Sequence, residues 1–375
     1  MQNAPVYLDY NATVPVRPEV IEAAGSAMAA GGNPSSVHAA GRAARERVER
    51  AREAVAALIG TAPRRIVFTG SGSEANALAL GGAGRDRVLV SAVEHPSVLR
   101  AVSGAETIPV SADGLVEISA LERRLDGVDA PALVSVMAAN NETGVLQPLE
   151  DVVALAHRHG ALVHVDAVQA LGRVALDFTT LGADLMSLSA HKIGGPQGVG
   201  ALVVADSVPL HALIRGGGQE GGRRAGTENV AGIVGFGVAA QAAARDRADQ
   251  PRIAALRDRL EARALAAVAT ARVYGRATAR LPNTSCLGVP GLSNALQVMT
   301  LDLAGIAVSA GAACSSGKVA SSHVLRAMGL DESEAGSAIR VSLGWASRGE
   351  DIDRFLAVWC ELAARSGARH DPRAA

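Results

Sequence analysis

Through the first two thirds of the chain, short runs of apolar residues alternate with longer stretches in which apolar positions recur every three or four residues. The runs predict strands at Ile66–Thr69, Val88–Ser91, Leu133–Met137, Leu162–Asp166, Leu185–Ser189 and Ala201–Val204. The periodic stretches predict helices at Arg42–Gly60, Glu74–Gly81, Pro96–Gly104, Ile118–Leu125 and Leu149–Gly160. Strands apolar on both faces, alternating with helices, are the pattern of an α/β fold whose parallel sheet is covered on both sides. Ligands of such sheets bind at the carboxyl ends of the strands. Around Asp246–Pro251 the chain turns charged, and an amphipathic helix follows over Ile253–Ala267. A domain boundary is expected near residue 245. Beyond it, to about residue 365, a smaller α/β unit is expected, with short strands at Thr284–Val289 and Ile339–Ser342.

Composition narrows the function classes. The 375 residues are 49% hydrophobic and 19% charged, enough for one large or two packed domains and too apolar for disorder. Lys+Arg 36 against Asp+Glu 37 gives a net charge of -1, so nothing electrostatic favours nucleic acid or an anionic membrane as the main partner. Aromatics are only 2%, which leaves the core to Ala, Val, Leu and Ile; a GC-rich genome would have the same effect. Cys286, Cys314 and Cys360 form no CxxC pair and suit a reducing compartment. With no apolar run of roughly 18 residues and no basic-then-apolar start, the expectation is a soluble cytoplasmic protein.

Four segments carry candidate chemistry. In Ile66–Leu80 a strand runs through Gly70-Ser71-Gly72-Ser73 into a helix, which taken alone fits a capping turn better than a phosphate cradle. In Leu162–Gln169 a buried strand ends at Asp166, an acid that needs a partner or a helix to cap, with Gln169 three residues on. In Leu185–Lys192 a lysine follows a buried strand beside Ser189 and His191, with glycines after it; a desolvated lysine forms Schiff bases. In Val308–Lys318 Cys314 lies among small residues, whereas Cys286 and Cys360 fit apolar strand and helix patterns. His95 follows a strand and so joins Ser73, Asp166 and Lys192 at one sheet edge. No Cys/His/Asp cluster has metal-ligand spacing, so no metal is expected.

These residues carry a resemblance. The chain resembles the cysteine desulfurases, pyridoxal-phosphate (PLP) enzymes of the class V aminotransferase group with fold type I. The likeness runs through LDYNAT (8–13), GNPSSVH (32–38), VEHPSV (93–98), NNETGV (140–145), HVDAVQ (164–169), SAHKIGGPQGVGAL (189–202), RRAGTEN (223–229), VSAGAACSSG (308–317), HVLRAMG (323–329) and IRVSLG (339–344). The cysteine loop has the length of the nitrogen-fixation and iron–sulfur-cluster group. The resemblance implies a large PLP-binding domain over 16–245, a small domain over 246–375 carrying the cysteine loop, and an N-terminal segment, 1–15, packed on the small domain.

It also implies roles. Lys192 would hold PLP, Asp166 would pair with the ring nitrogen, Gln169 with the phenolic oxygen, and His95 would stack on the ring and assist proton transfer. Gly72, Ser73, Ser189 and His191 would hold the phosphate, with Thr227 reaching it from a neighbouring subunit of a homodimer. Asn141 would touch the cofactor and clamp the substrate carboxylate with Arg340, and Asn11 would line the substrate side. Cys314 would take sulfur from L-cysteine as a persulfide, releasing alanine, and hand it to an acceptor such as an iron–sulfur scaffold or a thiolation partner. The alternative is a selenocysteine lyase or another PLP-dependent lyase of a cysteine derivative. Ala310, Ala312 and Val319-Ala-Ser321 depart from the family's usual loop, and a C-terminal docking tail is expected to be short or absent.

Overall fold

The computed structural model describes residues 5–127, 130–311 and 321–366. The described chain opens with a short strand, β1 (Val6–Tyr7). The next strands are β2 (Ile66–Thr69), β3 (Arg87–Ser91), β4 (Glu106–Ile108), β5 (Ala132–Met137), β6 (Leu162–Asp166), β7 (Leu185–Ser189) and β8 (Gly200–Val204). Among the described residues they form one seven-stranded sheet in the order β2-β8-β7-β6-β5-β3-β4. The strands β4, β3, β5, β6 and β7 are parallel, each neighbour to the next. β8 runs antiparallel to both β2 and β7, which corrects the reading of Ala201–Val204 as one more parallel strand. Only residues 190–199 join β7 to β8, too few for a parallel crossover of a dozen or more residues.

The inner strands β5, β7 and β8 are buried along their whole length, as a sheet covered on both faces requires. The helices Ala39–Leu58 and Val230–Asp246 bring Val48, Val55, Ile233 and Phe236 to one core; Leu78, Ala79 and Val98 lie in another core beside the sheet. Two elements differ from the sequence pattern. The helix expected over Pro96–Gly104 is a single turn, Pro96–Leu99. The chain then returns as β4, a three-residue edge strand too short and polar to announce itself.

The remaining strands are β9 (Arg272–Tyr274), β10 (Thr284–Gly288), β11 (Ile306–Ala307), β12 (Ser309–Ala310) and β13 (Ala338–Ser342). A second sheet has the order β12-β13-β10-β9, and β1 pairs in parallel with β11. Helices Gln250–Ala267 and Gly349–Arg365 cover this sheet around a separate core that includes Leu260, Leu287, Ile339, Phe355 and Trp359. Val6 and Leu8 belong to that core, so the N-terminal stretch begins there and then crosses to the large sheet. The crossing residues become part of the site.

Candidate active site

From β3 the chain goes outward to β4, yet the following strand, β5, lies on the inner side of β3. Such a reversal opens a crevice at the carboxyl ends of the strands. His95 follows β3, Asn141 follows β5, Asp166 ends β6, and Ser189, His191 and Lys192 end or follow β7. The turn after β2 leads at the same edge into the helix Gly72–Gly82. The fold thus gathers at one edge the residues singled out along 120 positions of sequence.

The helix start is built for an anion. Ser71 caps it by accepting from the Glu74 N–H at 3.1 Å, and Glu74 in turn accepts from the Gly70 N–H at 2.6 Å and from Arg224 at 2.8 Å. The first-turn N–H groups, those of Gly72 and Ser73 among them, have no partner within a helix and attract negative charge. Glycine is a spatial requirement here. A Cβ on Gly72 would sit 3.0 Å from Val168 Cγ2 and 3.2 Å from Ser189 Cβ, and one on Gly200 would lie 2.5 Å from the Ser71 carbonyl carbon. Ser189 is buried beside this turn, and His191 bonds Thr13 Oγ1 at 3.2 Å while burial lowers its imidazole to about 4.

Lys192 points its amine at the crossing N-terminal stretch, donating to the Asn11 carbonyl at 2.6 Å and the Ala12 carbonyl at 2.8 Å. Desolvation, then the nearby cations Arg340 and Arg173, lower its pKa to about 7, against the opposite pull of Asp9 and Asp166. An amine partly neutral at neutral pH is a nucleophile. Behind it, Arg173 is buried, and burial followed by the Arg340 charge lowers it to about 9. Its guanidinium donates to the Tyr10 carbonyl at 3.2 Å and to both oxygens of Gln169. With Oε1 of Gln169 so occupied, the amide nitrogen donates to the Asn11 carbonyl at 2.9 Å, the acceptor it shares with Lys192.

Asp166 accepts from the Val168 N–H at 3.0 Å and from Asn76 Nδ2 at 2.8 Å. His95 caps the turn Pro96–Leu99, its Nδ1 accepting from the Ser97 N–H at 3.1 Å and lying 2.7 Å from Ser97 Oγ. Desolvation, with Lys192 and His323 adding to it and Asp166 opposing, lowers the imidazole pKa.

On the far side, Arg340 of β13 donates to Asp9 at 2.8 Å and to the Asn141 carbonyl at 3.2 Å, and its buried Nε has no hydrogen-bond partner among the described residues. Asn11 knits the two sheets together. Its side chain donates to Thr284 Oγ1 at 2.9 Å and to the Asn141 carbonyl at 3.1 Å, and accepts from Asn283 at 3.0 Å. Thr227 lies exposed in the loop after Arg224, with no hydrogen bond to this cluster among the described residues. Cys314 lies outside the described residues.

Several contributors escaped sequence reasoning: Asp9, Asn76, Ser97 and Arg173. Asp9 and Asn76 stand in segments already singled out, one in LDYNAT and one a helical turn beyond Gly72. Arg173 offers no signal, since an arginine after a glycine reads as surface. The donor set suits PLP: a helix start for a phosphate, a lysine near neutrality, a carboxylate held by two donors at the strand end and an amide donor that shares its acceptor with the lysine.

The aminotransferase class-V family model matches residues 6–355. A cysteine desulfurase of Cereibacter sphaeroides is 46% identical over 368 residues, covering 94% of both chains. The crystal structure of a NifS-like protein from Rickettsia africae superposes with a TM-score of 0.90 at 35% identity, covering 96% of this chain and 99% of that one. A structure described as SspA in complex with cysteine has a TM-score of 0.77 at 30% identity, covering 90% and 98%. With the PLP fold type I and its edge cluster in place, the chain belongs to the class-V aminotransferase family, among its PLP-dependent cysteine desulfurases.

Proposed function

We propose that this cysteine desulfurase moves the sulfur of L-cysteine onto Cys314, with the work divided among the residues at the sheet edge. Bound there, PLP supplies an electron sink that weakens the Cα–H and then the Cβ–S bond of the substrate. The observation that carries this division is Lys192, a half-buried lysine whose amine bonds the Asn11 and Ala12 carbonyls and is lowered to about 7, at the same sheet edge as Asp166 and the helix start at Gly72.

Lys192 holds the cofactor through Nζ and afterwards moves protons. Asp166, fixed by two donors, pairs with the cofactor's ring nitrogen, and Gln169 donates to its phenolic oxygen. Gly72, Ser73, Ser189 and His191 take the phosphate. Exposed Thr227 serves the same anion in a second copy of the chain, which makes the working form a homodimer. Arg340 and Asn141 receive the substrate carboxylate, for which the unpartnered Nε is a ready donor, and Asn11 lines that side.

Cys314 is the sulfur acceptor. Burial pushes the Cys286 thiol up, and desolvation raises Cys360 as well, which disfavours the thiolate at both. In the transfer the Cys314 thiolate forms an S–S bond as the Cβ–S bond breaks, and the carbon left behind is protonated. One cysteine and one thiol become one alanine and one persulfide. The persulfide then passes to an acceptor protein in the cytoplasm, an iron–sulfur scaffold or a thiolation partner. Among the described residues no helix is long and apolar enough to cross a membrane.

Visible absorption of the purified protein before and after L-cysteine, with alanine assayed in wild type and Cys314→Ala, tests the reading. A cofactor band that shifts with cysteine, and alanine made only when Cys314 is present, is expected. A shifting band without alanine would point to another cysteine derivative as substrate. A protein that PLP cannot colour would overturn the proposal.

A further inference from the structure

Asn76 is 1% exposed and makes an unusual choice of partners. Its Nδ2 donates both hydrogens, one to Asp166 Oδ2 at 2.8 Å and one to Ser97 Oγ at 2.9 Å, while its own buried Oδ1 has no hydrogen-bond partner among the described residues. Turning the amide over would satisfy neither acceptor and would aim an oxygen at a carboxylate. An unpaired buried carbonyl costs free energy that a purely space-filling residue need not spend.

The second link follows from the first. Ser97 Oγ already accepts from Asn76, so its hydroxyl hydrogen is free to go to His95 Nδ1, 2.7 Å away. The backbone N–H of Ser97 points at that same nitrogen at 3.1 Å. Two donors on one ring nitrogen fix the neutral tautomer with its proton on Nε2. Protonating Nδ1 would break the bond from the Ser97 N–H, orphan that helix-start donor and force the Ser97 hydroxyl to turn its hydrogen away.

We propose that Asn76 and Ser97 are positioning residues that tie His95 to Asp166 and hold its imidazole neutral, so that His95 serves the cofactor as a hydrogen-bond donor through Nε2–H and leaves the proton transfers to Lys192. The inference rests on the cofactor site proposed above and narrows the role the family resemblance implies for His95. The groups acting on this imidazole agree with it: desolvation and the charges of Lys192 and His323 all disfavour the imidazolium, and only Asp166 favours it.

The test is the ¹⁵N spectrum of histidine-labelled holoenzyme between pH 6 and 8, with His95 assigned by loss of its signals in His95→Gln. Wild type should show His95 neutral, with its proton on Nε2, throughout. Ser97→Ala and Asn76→Ala should shift its Nδ1 resonance, and each should lower kcat about tenfold, the worth of one hydrogen bond, with KM for cysteine little changed. Ser97→Thr, which keeps the hydroxyl, should restore both readouts. His95→Gln, a donor that cannot become a cation, should retain more activity than His95→Ala. An imidazolium or an Nδ1–H tautomer in wild type would overturn the inference, as would Asn76 and Ser97 variants with unchanged spectra and rates. The spectrum reads the tautomer without turnover, so a different substrate would leave it intact.

Discussion

The chain contains only two lysines, Lys192 and Lys318, which makes the nucleophile's ionisation directly readable. Lys192 is lowered from 10.5 to about 7, a preference for the neutral amine of about 5 kcal/mol. At pH 7 about half its amines are neutral, against roughly one in three thousand for an ordinary lysine. Reductive ¹³C-methylation of the cofactor-free protein should therefore give one lysine resonance that titrates near 7, absent in Lys192→Met. The sign for stability follows from proton counts. Between pH 7 and 10.5 the unfolded chain holds a proton that native Lys192 has released, so raising the pH favours the native state. The stability difference between wild type and Lys192→Met, from urea unfolding, should move in favour of wild type by about 4 kcal/mol between pH 6 and pH 10. A Lys192 resonance titrating near 10, or a stability difference flat with pH, would refute the argument that burial and the Arg340 and Arg173 charges prepare this amine.

Removing one of those charges, by Arg173→Met, should raise the Lys192 midpoint measured in the same titration. Asp166→Asn keeps the shape but removes the charge at the end of β6, and steady-state kinetics should show kcat lowered about 100-fold or more. Arg340→Gln should cut kcat/KM for cysteine about 10- to 100-fold through loss of charge-assisted bonds. The Arg280–Glu261 pair is nearly dry, with 6% and 4% of its side chains exposed and contacts of 2.8 and 2.9 Å. Leaving Glu261 uncompensated by Arg280→Ala should destabilise the protein by about 3–5 kcal/mol in urea unfolding.

The strands that carry the site were legible because burial on both faces makes them plain apolar runs; Ile66–Thr69, Leu162–Asp166 and Leu185–Ser189 coincide with β2, β6 and β7. What the periodicity hid has identifiable causes. The helix Val230–Asp246 is dense in Gly and Ala, with too little contrast between its faces, and Gly237 is small because Ala51 of a neighbouring helix would lie 2.7 Å from any Cβ. Strands of two or three residues, such as β4, β9 and β12, exist only through their partners. At the site, charged and glycine-flanked residues at strand ends stood out, whereas their supports did not. Asn76 and Ser97 matter through bonds made across 90 and 21 positions of sequence, which no local pattern encodes. His164 shows the opposite case. It sits in β6 between Ser135 Oγ and Ser187 Oγ, each at 2.8 Å, where burial keeps it neutral as part of the core.

On this account sulfur leaves cysteine for one particular thiol, that of Cys314. The most direct measurement is peptide mass spectrometry of the holoenzyme after a brief exposure to L-cysteine without reductant, with alanine quantified in parallel. The expected result is the mass of one additional sulfur atom on the peptide containing Cys314, in step with alanine, and no such gain on Cys286 or Cys360. Alanine formed at an undiminished rate in Cys314→Ser, or the extra sulfur on either of the other cysteines, would contradict it.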